Sequence, residues 1–330
     1  MKPLPEEIAS LQISAPQHFR NLTLFSLSRN EPVPPIPDYL LADEAMNQGL
    51  ARITEVDGGS VPELRFENRS EKPVLLLDGE ELVGAKQNRV LNLTILVGAK
   101  QSTVIPVSCV EAGRWQMESA EFRPASHVMY SRGRAARVTQ VSASMRTSGS
   151  RRSDQGAVWD DIAAKAARMN TDSPTQAMSA VFERHAITVE EYVRAFAYSD
   201  NHCGVAFAIG TEFGFDLFDH PATMRSVFAK LVRSYALDAM EIDGAAPKGH
   251  DDSDAVRFLQ TIAEAPAAAE PAIGMGKDVR LGGRSVAGAA LWAGGRYVHI
   301  CGFTIGAGTP ELPIKTRVSR PTRRRSRRKL

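Results

Sequence analysis

The chain has 330 residues, 43% of them hydrophobic and 24% charged, which is the composition of an ordinary globular protein with room for two domains or one large core. No apolar run approaches the roughly 18 residues of a membrane span. The opening MKPLPEEIASLQ has neither the basic start nor the apolar core of a signal peptide, so a cytoplasmic protein with no membrane partner is expected. The net charge of +2 sums two unlike parts: residues 315–330 hold nine Lys or Arg and no acid, which leaves 31 basic and 38 acidic residues, a net of −7, in the rest.

In chain order, NLTLFSLS (21–28) reads as a strand and EPVPPIP as an extended connector. DYLLADEAMNQG reads as a short helix with Asp38 as N-cap and Gly49 just past its end. The period then changes to two. LARITEV and ELRFENRS form a hairpin across DGGS, with Leu64 and Phe66 on one face and Arg65 and Glu67 on the other. KPVLLLDG, RVLNLTILV and STVIPVSCVE continue as short strands, so residues 20–112 predict a sandwich or a partly closed barrel. From Phe122 to Arg152 there are seven arginines, no acid and no lysine, and no periodicity, which predicts an exposed connector or a loop reaching over a site.

Three helices follow: one capped by Ser153 with Val158, Trp159, Ile162, Ala163 and Ala166 as its stripe, one starting at Ser173 and Pro174, and one whose capping box is Thr188 and Glu191. CGVAFAIGTEFGFDLF reads as two strands across a glycine turn. A long helix then starts at Pro221, burying Met224, Val227, Phe228, Leu231, Val232 and Tyr235. A helix near 253–264, an Ala/Pro linker (APAAAEPA) and three strands, DVRL, SVAGAALW and RYVHICGF, complete the pattern. The expected fold class is α+β: a β-rich N-terminal half (1–121), the Arg/Ser-rich connector (122–152), a helical/α+β C-terminal half packed with it (153–310), and a basic disordered tail (311–330). The tail could hold nucleic acid or an acidic partner by counterion release. Solvated charge, or an altered reading frame, explains it equally simply.

The chemistry concentrates in LLLDGEELVGAKQNRVLNLTILV (75–97), where polar groups stand between two segments built for burial. Buried polar groups must satisfy one another, since an unpaired charge costs several kcal/mol. Partners are supplied by VSCVEAGRW (107–115), in which Cys109 and Glu111 share a face and Arg114 and Trp115 follow. One reading is a pocket for a small anionic, nucleotide-like ligand, bound by Glu81, Lys86, Gln87, Asn88, Arg89, Arg114 and Trp115. Arg89 and Arg114 would pair with the anion, and Gln87 and Asn88 would orient it. Trp115 would stack on a ring, unless it is a core tryptophan. If the protein is an enzyme, the expected class is a hydrolase of a nucleotide or ADP-ribose-type substrate. Glu80 or Glu111 would then be its acid or base, and Cys109 a thiolate lowered by neighbouring guanidinium groups. Neither motif contains a histidine to act as base. Glu80, Glu81 and Glu111 match no metal-binding spacing, so no metal ligand is assigned and any cofactor is unknown. The sequence has no Walker loop, GxGxxG, HExxH or GxSxG, which disfavours the common nucleotide and protease classes. The alternative is a non-catalytic interaction or scaffold module in which the same residues form an ion-pair and amide network that locks strand register. A third reading is nucleic-acid association through the tail. Cys203 and Cys301 read as small buried hydrophobes, and with no CxxC pair neither a zinc knuckle nor a disulfide framework is expected.

GEELVGAKQNR joined to VSCVEAGRW, with the later DQGAVWDDI and GVAFAIG…FDLF, resembles the domain family named for its association with ADP-ribosylglycohydrolases and rhodanese-phosphatases, a domain of unknown function; the resemblance covers roughly residues 15–305. It implies that Gly79, Glu80, Gly84, Gln87, Asn88, Arg89, Cys109, Glu111, Arg114, Trp115, Gln155 and Trp159 are signature positions. It points towards ADP-ribose or nucleotide-linked metabolism without naming a reaction. The basic tail lies outside it.

Overall fold

The computed structural model describes residues 1–30, 34–56, 61–242 and 249–306. The DGGS turn, part of the proline connector and the basic tail lie outside the described residues. The fold is α+β, and among the described residues its β structure is antiparallel except for one short parallel pairing, Leu40–Leu41 with Val74–Leu76. Among the described residues the largest sheet has nine strands. Its order runs Gln12–Ile13, Leu22–Ser28, His202–Ile209, Glu212–Phe218, Arg296–Thr304, Val286–Ala293, Lys277–Gly282 and Ala267–Pro271, with Gln17–Phe19 also on Leu22–Ser28. The first long strand of the chain therefore belongs to the sheet built by the C-terminal residues, in register from Leu22↔Ile209 to Leu27↔Gly204.

The middle of the chain forms a six-stranded sheet in the order Phe122–Val128, Glu80–Gly84, Arg89–Leu91, Ser102–Cys109, Glu63–Asn68 and Ala51–Glu55. Its inner face closes on an apolar core that includes Ile53, Leu64, Phe66, Leu91, Ile105 and Val107. Leu64 and Phe66 are buried and Arg65 is exposed, as strand alternation requires. The helix Pro221–Ala239 packs between the two sheets: Met224, Leu231, Val232 and Tyr235 share a core with Val205 and Phe207 of the large sheet and with Val90 and Val128 of the smaller. On the opposite face of the large sheet lies Asp252–Ala263, packed through Ala255, Phe258, Leu259 and Ile262.

Several expectations are corrected. The early helix runs Ala42–Asn47 with Leu41 at its N-cap, because Leu40–Leu41 is drawn into a strand pairing. Asp154 rather than Ser153 caps Gln155–Arg168, accepting from the Ala157 N–H. No helix starts at Ser173; the next ones run Ser179–Arg184 and Ala186–Ala195, which leaves Thr188 inside the helix instead of at its cap. The Ala/Pro linker is an exposed edge strand, Ala267–Pro271, a position where proline's missing N–H is harmless.

The largest correction concerns residues 122–152, which are a strand, Phe122–Val128, and a helix, Ser131–Ser148, instead of a connector loop. The helix buries Arg134 and Arg137 beside Val138 and Val141, so its buried face is partly charged and leaves no apolar period to read. Arg134 is bidentate to Asp216, at 2.9 and 2.6 Å, and its Nε reaches Asp78 at 3.2 Å. Arg137 donates to the other Asp78 oxygen at 2.9 Å. Tyr235 and His299 complete the shell of Asp216, at 2.6 and 3.1 Å. Asp78 stands at the start of the polar motif and Asp216 in the large sheet, so this helix ties the two sheets together by charge. Gly79 is required here: its φ is +81°, and a Cβ would lie 2.9 Å from the Arg134 side chain.

Candidate functional site

The two signature segments lie side by side. Glu80–Gly84 pairs with Arg89–Leu91 through Glu81↔Val90 and Leu82↔Arg89, and Arg89–Leu91 pairs with the end of Ser102–Cys109 through Cys109↔Arg89. Gly84, at φ +130°, lets the chain approach closely, since a Cβ there would meet the Glu121 carbonyl at 2.7 Å.

Most of the predicted polar residues satisfy one another. Glu81 is fully buried; one oxygen accepts from Asn88 Nδ2 at 3.2 Å and the other lies 2.6 Å from His127 Nε2. The Asn88 side-chain oxygen accepts from Arg114 at 3.0 Å, and its backbone N–H donates to Glu111 at 3.0 Å. Arg114 closes the ring on Glu111 at 2.7 Å and also donates to the Ala85 and Gln116 carbonyls. Gln87 donates to the Glu111 carbonyl at 2.9 Å. Burial alone would raise the Glu111 pKa, but Arg114 and the N–H of Asn88 outweigh it and hold the carboxyl below its ordinary value.

Glu80 is not part of this ring. It points to Lys230, at 2.5 Å, and Lys230 also pairs with Asp43. Burial, with the Asp43 charge nearby, pushes the Glu80 carboxyl up against the pull of Lys230. Lys86 is half-buried, its ammonium 5.3 Å from the Trp115 ring, and Trp115 itself is 53% exposed, so it is not a core tryptophan. Among the described residues no three His, Cys, Asp or Glu side chains are grouped to hold a metal ion, and Glu80 is separated from Glu81 and Glu111 by their different partners.

Cys109 is buried and donates to the Glu111 carbonyl at 3.4 Å. Burial pushes its thiol up, the opposite of an activated thiolate, and Arg89 only partly opposes this. Gln155 pairs with both the N–H and the carbonyl of Cys109 at 2.8 Å, which fixes the helix Gln155–Arg168 against the strand end. Burial raises the Cys203 and Cys301 thiols as well. The native protein should therefore resist a thiol reagent such as DTNB at neutral pH and release its three thiols only on denaturation. Prompt labelling of Cys109 in the folded state would contradict this environment.

Arg89 differs from the rest. It is 0% exposed; its Nη1 donates to Gln87 at 3.1 Å, while Nε and Nη2 have no hydrogen-bond partner among the described residues. Burial lowers its pKa, with Cys109 and Glu55 acting in the other direction. An open cleft of about 450 Å³ lies elsewhere, between Ser131, Arg132, Phe207, Phe213 and Phe303, and none of the predicted site residues lines it.

Sequence reading missed Asp78, Arg134, Arg137, Asp216 and His299, as well as Lys165, which bonds Asp238 and Glu241 at 2.6 Å each. A signal was present: single acids inside apolar segments, as in FGFDLF and YALDAM, call for a buried cation from elsewhere in the chain.

No helix among the described residues is long and apolar enough to cross a membrane. No curated protein and no solved structure is matched by this chain. The family model of the ARG and Rhodanese-Phosphatase-superfamily-associated Protein domain matches residues 10–303, spanning both sheets and the polar motifs, and the chain belongs to that family.

Proposed function

We propose that the protein binds, in the cytoplasm, a small ligand of the nucleotide or ADP-ribose type, and that Arg89 is its principal contact. The observation that carries this reading is that Nε and Nη2 of the fully buried Arg89 have no hydrogen-bond partner among the described residues. These two nitrogens form the fork with which arginine takes a carboxylate, a phosphate or a carbonyl. An uncompensated buried guanidinium costs several kcal/mol, which a ligand accepting from both nitrogens would offset. Glu81, Asn88, Arg114 and Glu111 serve as the frame that holds the Arg89 strand in place, because their hydrogen bonds are already made within the protein.

Binding without turnover by the three candidate groups fits best. Lys230 occupies Glu80, Arg114 keeps Glu111 ionised, and burial disfavours the Cys109 thiolate. A thermal-shift panel of nucleotides, ADP-ribose, NAD and sugar phosphates tests the reading. A ligand at 100 times its Kd adds about 2.7 kcal/mol, so the melting temperature should rise for the wild type and not for Arg89→Met. A panel with no stabilising member, or a shift that persists in Arg89→Met, would sink the proposal.

A further inference from the structure

The open cleft of about 450 Å³ lies where the first half of the helix Ser131–Ser148 passes the turn between His202–Ile209 and Glu212–Phe218 and the end of Arg296–Thr304. Its floor is built by Phe207 and Phe303, which strand register sets on either side of Gly214 through Phe207↔Gly214 and Gly214↔Phe303. A Cβ on Gly214 would lie 2.5 Å from the Phe207 ring and 2.9 Å from the Phe303 ring, so the glycine lets the two rings come together, with centroids 6.5 Å apart. Phe207 also stacks on Tyr235 at 4.0 Å, so the floor is fixed before any ligand arrives. On the helix side, Ser131, Ala135 and Thr139 follow one another at four-residue spacing, with Ala136 beside them. All four are small, and the space between helix and sheet stays open.

The hydroxyls on the walls are turned back into the protein: Ser131 donates to Asp238, Thr139 to the Ala135 carbonyl at 3.0 Å, and Thr304 to the Phe213 carbonyl at 3.2 Å. Among the described residues that line the cleft, charge is carried by Arg132 and Glu212. Arg132 Nε donates to both Glu212 oxygens, at 3.1 and 2.8 Å, and Nη1 donates to Glu241 at 2.9 Å. These bonds do not use Nη2. Glu241 is itself shared with Lys165 at 2.6 Å and Arg168 at 3.4 Å, so Arg132 is not spent on neutralising it. An ammonium entering the cleft would have to take Glu212 from Arg132, whereas a carboxylate can accept from Nη2 with both existing bonds in place. We infer that this cleft binds a small carboxylic acid with a flat apolar body, the body lying on Phe207 and Phe303 against Ala135 and Ala136, and the carboxylate accepting from Arg132. The volume is within the roughly 300–1,000 Å³ of small-molecule sites. The inference goes beyond the role proposed for Arg89, which does not line this cleft.

The matched probes 2-naphthoate and 2-naphthamide, of nearly the same shape and differing in charge, test it by titration calorimetry. The expected result is that the wild type prefers naphthoate, and that Arg132→Gln weakens naphthoate about tenfold, the loss of a hydrogen bond between charged groups, while binding naphthamide as before. Retained naphthamide binding shows at the same time that Arg132→Gln is folded with its cleft intact. Ala136→Phe, a substitution at an exposed helix position on the cleft wall, should fill the space and abolish binding of both probes with the melting temperature unchanged. Equal affinity for the two probes, or naphthoate binding indifferent to Arg132→Gln, would overturn the carboxylate assignment. Binding that survives Ala136→Phe, or no binding of either probe to the wild type, would overturn the site itself. The nucleotide panel with Arg89→Met reports separately on the Arg89 reading.

Discussion

Asp216→Ala should lower the unfolding free energy by about 3–5 kcal/mol, the cost of removing one partner from a buried ion pair. Asp216 is 0% exposed, takes both outer nitrogens of Arg134, and accepts from Tyr235 and His299. Without it the one carboxylate left to Arg134 among the described residues is Asp78, at 3.2 Å, which Arg137 already shares. Arg134 belongs to the helix that joins the two sheets, so the loss should appear as one cooperative transition at lower urea. Separate unfolding of the two sheets, or a change below about 1 kcal/mol, would be inconsistent with this link. Burial alone would raise the Asp216 pKa, but Arg134 and His299 outweigh it and hold the carboxyl well below the ordinary range. A depressed folded pKa supplies stability that is present above the unfolded carboxylate value, near 3.8, and lost as pH falls through the folded one. The network should therefore stay intact at mildly acidic pH and fail only in strong acid.

Glu111→Ala should cost about 3 kcal/mol by urea denaturation. The substitution leaves buried Arg114 with neutral partners and, at the surface, Glu118, and removes the acceptor of the Asn88 N–H. The exposed Glu118, 3.3 Å from Arg114, softens the loss. Glu111→Gln should cost less, because the amide oxygen can still accept from Asn88 or Arg114. The sign with pH is that of Asp216: the folded pKa is lowered, so the contribution is complete above about 4.5 and declines as pH falls below it. A Glu111→Ala protein as stable as the wild type would show that Glu111 is not part of the frame.

Elements that bury one apolar face were legible. The two strands around Gly210, the helix from Pro221 and the last three strands lie where hydrophobic period and glycine turns put them. What stayed hidden depended on contacts between distant parts of the chain. The pairing of Leu22–Ser28 with His202–Ile209 spans some 180 residues and has no local signature. The helix Ser131–Ser148 resisted for another reason: its buried face carries Arg134 and Arg137, and only Asp78 and Asp216, remote in sequence, make that burial tolerable. Periodicity treats a buried arginine as exposed, so a helix of this kind reads as a loop.

The candidate site was legible as a cluster and illegible in its roles. The spacing of GEELVGAKQNR and VSCVEAGRW brought Glu81, Gln87, Asn88, Arg89, Glu111 and Arg114 to one strand end, where the structure also has them. Nothing local distinguished Arg114, whose donors are used within the protein, from Arg89, whose outer edge is not. Glu80 and Glu81 are adjacent, yet alternation turns them to opposite sides, one to Lys230 and the other to His127. Gln155, which pairs with both backbone groups of Cys109, comes from a helix outside the two motifs and reaches them only through the tertiary fold.

The most direct test of the division between a satisfied frame and an open Arg89 is the stability of ligand-free Arg89→Met. Methionine keeps much of the side-chain volume and removes a buried charge whose outer edge has no partner. Urea denaturation should give a variant at least as stable as the wild type, beside the loss expected for Glu111→Ala. A loss of about 3 kcal/mol or more in Arg89→Met would contradict the account, because Arg89 would then belong to the frame with no edge held open for a ligand.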